Sequence, residues 1–131
     1  MICEDSLAPL HELKAEFFKS LGHPLRVRTL ELLSTAEMCV SELQTRTGVE
    51  GPALSQQLAV LRRAGLVNTR KQGNNIFYSI SAPEVAELLQ VARRFLTVRL
   101  NEQVDLLRDL QADDAIEPAA GRRSRSRRAG R

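Results

Sequence analysis

The chain has little of what most active sites and most extracellular scaffolds are built from. Cysteine occurs twice in 131 residues, as Cys3 and Cys39. That is too few for a disulfide framework and fits a reducing, cytoplasmic compartment. Histidine is as scarce, with His11 and His23 the only two. Neither stands at a triad spacing, and no Gly-rich phosphate loop or paired-Cys motif accompanies them, which argues against an enzyme. No apolar run approaches the ~20 residues that cross a bilayer, so no membrane partner is expected. The opening stretch MICEDSLAPLHELK is acidic and lacks the basic-then-apolar order of a secretory signal. At this length one intracellular domain with a modest core is expected, short for an enzyme with a closed cleft.

Acidic residues are nearly missing from one end. Residues 117–131 hold six arginines and a single glutamate, so the preceding 116 residues carry 13 basic and 15 acidic side chains. The net charge of +3 therefore comes from the tail, and the body is slightly acidic. An Arg/Ser/Gly/Ala composition cannot bury a core, so residues 112–131 read as a disordered tail, either a solvated extension or a nonspecific attractor of phosphate.

Apolar spacing organises the rest. Leu7, Leu10, Leu13, Phe17, Phe18 and Leu21 recur at three- and four-residue steps, a packing helix over about 7–21 behind a short arm, residues 1–6. Gly22, His23 and Pro24 break it, and His23, held out of the helical region by the following proline, reads as the residue that closes the junction. A mostly apolar helix follows over Pro24–Ser34. Its Arg26 either snorkels to a phosphate or, the favoured reading, pairs with an acid of a neighbouring helix. A short third helix, Val40–Thr47, stops at Gly48.

The fourth helix, Pro52–Ala64, carries the functional signal. Leu54, Leu58 and Leu61 at i, i+4 and i+7 put three leucines on one face, which by itself means only core. The opposite face carries Ser55, Gln56, Ala59, Arg62 and Arg63, and Pro52 and Gln57 join them as candidate DNA contacts. Ser and Gln present donors and acceptors to base edges, and Arg reaches phosphates. A helix, a turn around glycine, then a helix with a polar outer face is the helix-turn-helix arrangement.

Two β-rich runs, Leu66–Lys71 and Ile76–Ile80, flank a Gln72-Gly73-Asn74-Asn75 tip and read as an antiparallel hairpin. Arg70, Lys71, Gln72, Asn74 and Asn75 sit at or near that tip. They would touch phosphates or the minor groove beside the helix, or else simply protect a sheet edge. Ser81 and Glu84 have capping-box spacing, and an apolar stripe then continues from Val85 to Leu110, a helix to about Gln111. Roughly 30 residues at 1.5 Å each exceed what so small a domain covers. The same helix of a second copy, together with the first helix, is the simplest cover. A two-fold dimer would set two recognition helices ~34 Å apart and call for a palindromic site.

Over about Phe17 to Leu96 the chain resembles winged-helix repressors of the ArsR/SmtB family. Leu21-Gly22-His23-Pro24-Leu25-Arg26-Val27-Arg28-Thr29-Leu30 is similar to the family's opening pattern. Ser55-Gln56-Gln57-Leu58, Leu61-Arg62, Ala64-Gly65-Leu66-Val67 and Arg70-Lys71-Gln72-Gly73 resemble its recognition helix and wing. The resemblance implies a mainly α winged helix-turn-helix domain, residues 7–111, that dimerises through its first and last helices. Its function would be that of a sequence-specific regulator of double-stranded DNA, a homodimeric repressor released by an inducer. A winged helix used only for protein contacts is the rival.

Many members sense metal. Cys39 stands in a box similar to theirs, Glu37-Met38-Cys39-Val40-Ser41, but Ser41 occupies the place of the arsenic sensors' second cysteine. The resemblance leaves Cys3, His11, Cys39 and Glu42 as a thin N/S/O set for a Zn²⁺-like ion. A site along the last helix is ruled out by the lack of histidine after His23. Thiol sensors pair a cysteine at the Cys39 position with one on the last helix, which has none here. A packing thiol at Cys39, no cofactor and an unidentified inducer are therefore expected, with a thiol- or metal-responsive repressor as the alternative.

Overall fold

The computed structural model describes residues 2–116, with side chains from Pro9 to Asp113. Its elements run α1 (Ile2–Ser20), α2 (Pro24–Leu33), β1 (Met38–Cys39), α3 (Val40–Thr47), α4 (Gly51–Arg63), β2 (Val67–Gln72), β3 (Asn75–Ile80) and α5 (Pro83–Ile116). This is the mainly α architecture with a β wing that the periodicities imply. Two boundaries differ by more than one residue. Residues 1–6, read as an arm, are helical from Ile2, since an apolar stripe marks no start where it has no members. Helix α5 runs past 111 to Ile116, and residues 117–131, read as a disordered tail, lie outside the described residues.

Local chemistry sets the helix ends. His23 has extended backbone and caps α2, its Nδ1 accepting the Leu25 N–H at 3.1 Å, while Pro24 takes the first turn, where a missing N–H costs nothing. This is the junction-closing role expected of it. Arg26 is structural, but among the described residues it has no acid partner. Its Nε donates to Ser20 O at 2.8 Å and its Nη1 to Gln57 Oε1 at 2.9 Å. The carbonyl end of α1 carries partial negative charge, and that is what attracts the guanidinium. Gly48 ends α3 in the left-handed region, φ 71°, with its N–H donating to Gln44 O at 2.8 Å. Helix α5 begins at Pro83, one residue later than a cap at Ser81 requires, and the Ser81 N–H donates to Leu66 O at 3.0 Å.

Strands β2 and β3 pair from Val67↔Ile80 to Gln72↔Asn75, leaving Gly73 and Asn74 as the tip, with Gly73 at φ 63°. Strand β1 adds to the other side of β3, through Met38↔Tyr78 and Cys39↔Phe77, giving the order β1-β3-β2. The described chain divides into two units, residues up to Gln90 and residues from Val91. In the first, Leu30, Leu32, Leu33, Met38, Leu43, Leu54, Leu58, Leu61, Leu66, Val67 and Val85 form one core. Each fully buried leucine contributes about 1.5–3 kcal/mol relative to exposure. In the second, α5 shows apolar side chains without cover, as Phe95, Leu96, Val98, Leu100, Val104, Leu106, Leu107 and Leu110 are each 43–59% exposed.

Candidate nucleic-acid interface

Helix α4 is anchored by Leu54, Leu58 and Leu61, none more than 1% exposed. Those three fix its rotation. Pro52, Ser55, Gln56, Ala59, Arg62 and Arg63 are consequently exposed on the other side. Short polar residues occupy the N-terminal half, and two cations the last turn. The cations also suit the negative end of the helix dipole, so they stabilise α4 whatever else they touch. Helix α3 packs beside α4 through Leu43, and the three residues Gly48, Val49 and Glu50 between them make the turn.

Gln57 differs from its neighbours. It is half-buried and accepts Arg26 Nη1, so the structure draws it toward α2 instead of leaving it on the outer face. On the wing, Lys71, Gln72, Asn74 and Asn75 are exposed. Arg70 is engaged within the protein. Its Nε and Nη2 donate to the two carboxylate oxygens of Glu37 at 3.0 and 2.7 Å, and its Nη1 to Gln72 Oε1 at 2.9 Å. Hydrogen bonding from Arg70 holds the Glu37 carboxyl below the usual carboxylate range, and Glu37 in turn holds Arg70 further toward its charged form. In the sequence Glu37 stands out only as part of the box around Cys39 and not as a partner of Arg70. It lies 33 positions from Arg70, and no local spacing reveals the pair.

Three members of the thin metal set, His11, Cys39 and Glu42, have described side chains. His11 is exposed on α1, and the Cys39 Sγ lies 3.1 Å from Ser41 Oγ. The Glu42 carboxylate accepts the Cys39 N–H at 3.1 Å, as the N-terminal cap of α3. No cluster of three metal-ligating side chains occurs among the described residues, so His11, Cys39 and Glu42 are not brought together. The side chain of Cys3 lies outside the described residues. Nor is any helix among the described residues long and apolar enough to cross a membrane.

A helix-turn-helix with a leucine-anchored second helix, a polar outer face on that helix and a hairpin beside it define a winged-helix DNA-binding protein. Comparison with known proteins narrows the class. The family described as "Bacterial regulatory protein, arsR family" matches residues 23–69. An uncharacterized HTH-type transcriptional regulator of Mycobacterium tuberculosis, Rv0081, is 54% identical over 105 residues, which cover 79% of this chain and 92% of the relative. Its crystal structure superposes with a TM-score of 0.68 at 55% identity, over 73% of this chain and 97% of that one. The transcriptional repressor BigR of Xylella fastidiosa gives a TM-score of 0.62 at 36% identity, covering 72% and 96%. The homodimeric winged helix-turn-helix DNA-binding domain of Mb0332 from Mycobacterium bovis gives 0.64 at 30%, covering 69% and 83%.

The chain belongs to the arsR family of bacterial regulatory proteins. It is a DNA-binding transcriptional regulator and not an enzyme.

Proposed function

We propose that the chain acts in the cytoplasm as a homodimeric repressor of a palindromic operator, residues 7–111 forming the functional domain. The observation that carries the DNA surface is the division of α4. Leucines at most 1% exposed fix one side, and Ser55, Gln56, Ala59, Arg62 and Arg63 are exposed on the other. In this reading the α4 face enters the major groove with Ser55 and Gln56 at base edges. Pro52 and Ala59 allow close approach, and Arg62 and Arg63 reach phosphates. Lys71, Gln72, Asn74 and Asn75 of the wing lie on the flanking backbone or minor groove.

Pairing of two copies is supported by exposed apolar side chains on both terminal helices, Leu10, Leu13 and Phe18 on α1 and the row from Phe95 to Leu110 on α5. Charge along α5 favours an antiparallel partner helix. Residues 91–101 hold Arg93, Arg94 and Arg99 and no acid, whereas residues 102–113 hold Glu102, Asp105, Asp109 and Asp113 against Arg108. Antiparallel α5 helices would set each basic half against an acidic half, where parallel helices would set like against like. BigR, a named repressor, supports the direction of regulation.

The test is selection of bound duplexes from a random pool by the purified protein. Recovery of an inverted repeat, bound by two copies, is the expected result. A winged helix serving only protein contacts would return no enriched sequence and no steep salt dependence.

A further inference from the structure

The guanidinium of Arg70 is oriented as though it already held an anion. Two of its nitrogens face the two oxygens of Glu37 in fork-to-fork geometry, at 3.0 and 2.7 Å, and the group lies 5.0 Å from the centre of the Phe77 ring. That fork is the one an arginine offers to a DNA phosphate. The sheet register explains the contact. Phe77 on the central strand pairs with Arg70 on one side and Cys39 on the other, and Glu37 immediately precedes β1. The Arg70 guanidinium, lying over the Phe77 ring, thus meets the Glu37 carboxylate across β3. The segment that supplies it leads through Met38 and Cys39 directly into α3. Lys71, next along β2, points from the opposite side of the hairpin and is exposed.

We propose that Glu37 is an intramolecular stand-in for phosphate, which keeps Arg70 off the DNA backbone and so sets the protein's affinity for DNA below what its wing would otherwise give. Lys71 is then the wing's backbone-binding cation. The inference rests on the wing facing DNA and adds a residue that limits binding. A phosphate arriving at Arg70 has to displace a carboxylate that is already well placed, whereas a phosphate arriving at Lys71 displaces only water and counterions.

The test uses the full chain and a fluorescein-labelled random-sequence duplex of about 30 base pairs, titrated from 50 to 200 mM salt, where each phosphate contact adds about 0.9 to the log–log slope. Glu37→Gln is expected to steepen that slope by about 0.9 per bound protomer, roughly threefold in affinity across this salt range. Arg70→Gln should leave the slope at the wild-type value, the double variant should match Arg70→Gln, and Lys71→Gln should flatten the slope by about 0.9. Both single variants at the pair lose the same ion pair, so a merely structural role for it would move Glu37→Gln and Arg70→Gln alike. Flattening by Arg70→Gln alone, or no effect of Glu37→Gln, overturns the proposal. If Lys71→Gln and Arg62→Gln also leave the slope unchanged, the DNA-facing surface itself is wrong. If those two flatten it while Glu37→Gln does nothing, only the role of Glu37 fails.

Discussion

Gln56 and Leu58 stand two residues apart on α4 and face opposite ways, so replacing each by alanine separates function from folding. Leu58 is 1% exposed and packed in the core, whereas Gln56 is exposed. Truncating a buried leucine costs about 2–5 kcal/mol, the removed methyl groups plus the cavity they leave. That is a large part of the roughly 5–15 kcal/mol that holds a domain of this size folded. Truncating an exposed glutamine alters stability by at most about 0.5 kcal/mol. It removes a side chain able to make two hydrogen bonds to an adenine edge, a contact worth about 1–3 kcal/mol of discrimination at one base pair. That amounts to roughly 5- to 150-fold in relative affinity. Competition binding over an operator and its single-base-pair variants, read beside thermal melts, measures both quantities. Gln56→Ala should melt like wild type and lose preference at one position of each half-site. Leu58→Ala should melt far lower. Equal weakening on every duplex would make Gln56 a backbone contact, and unchanged preference would take the α4 face out of the groove.

Three further outcomes are expected. Leu100→Glu with Leu107→Glu places charge in the exposed row of α5 and should convert a dimer to a monomer by light scattering, with loss of operator binding; a variant that stays dimeric puts the interface elsewhere. Arg70 holds Glu37 below the usual carboxylate range, so the ion pair stabilises the fold above that range and is lost as pH falls through the lowered pKa. Carbon NMR of the Glu37 carboxyl should show it titrating at lower pH in wild type than in Arg70→Gln, and coincident curves would contradict the pairing. Gly48→Ala forces a side chain into the left-handed region at φ 71° and should cost about 1–2 kcal/mol in a denaturant melt; no loss would mean the α3–α4 turn has another conformation.

The sequence makes legible what repeats. Three leucines at helical spacing gave the rotation of α4, and with it the exposed face, because a buried stripe leaves only one way out for the remaining side chains. The hairpin and its Gly/Asn tip were legible because their chemistry is local, although pairing of Gln72 with Asn75 shortens the four-residue tip to Gly73 and Asn74. Gln57 was not, since it lies only about 100° round the helix from Gln56, at the margin where a side chain turns either way. Strand β1 is two residues long and has no pattern to show. Glu37 and Arg70 meet only because β1 and β2 flank the same central strand, a fact of sheet order that no spacing along the chain records. Arg26 was read correctly as structural but given the wrong partner, because carbonyls at a helix end attract a cation without any acidic residue to mark the place.

The most direct measurement is a map of backbone amide shifts as the protein is titrated with its selected duplex. The largest changes should fall on the outer side of residues 52–63 and at wing residues 71–75. Leu54, Leu58 and Leu61 should respond little. Changes confined to α5, or none at saturating duplex, would show that this helix and wing are not the surface that meets DNA.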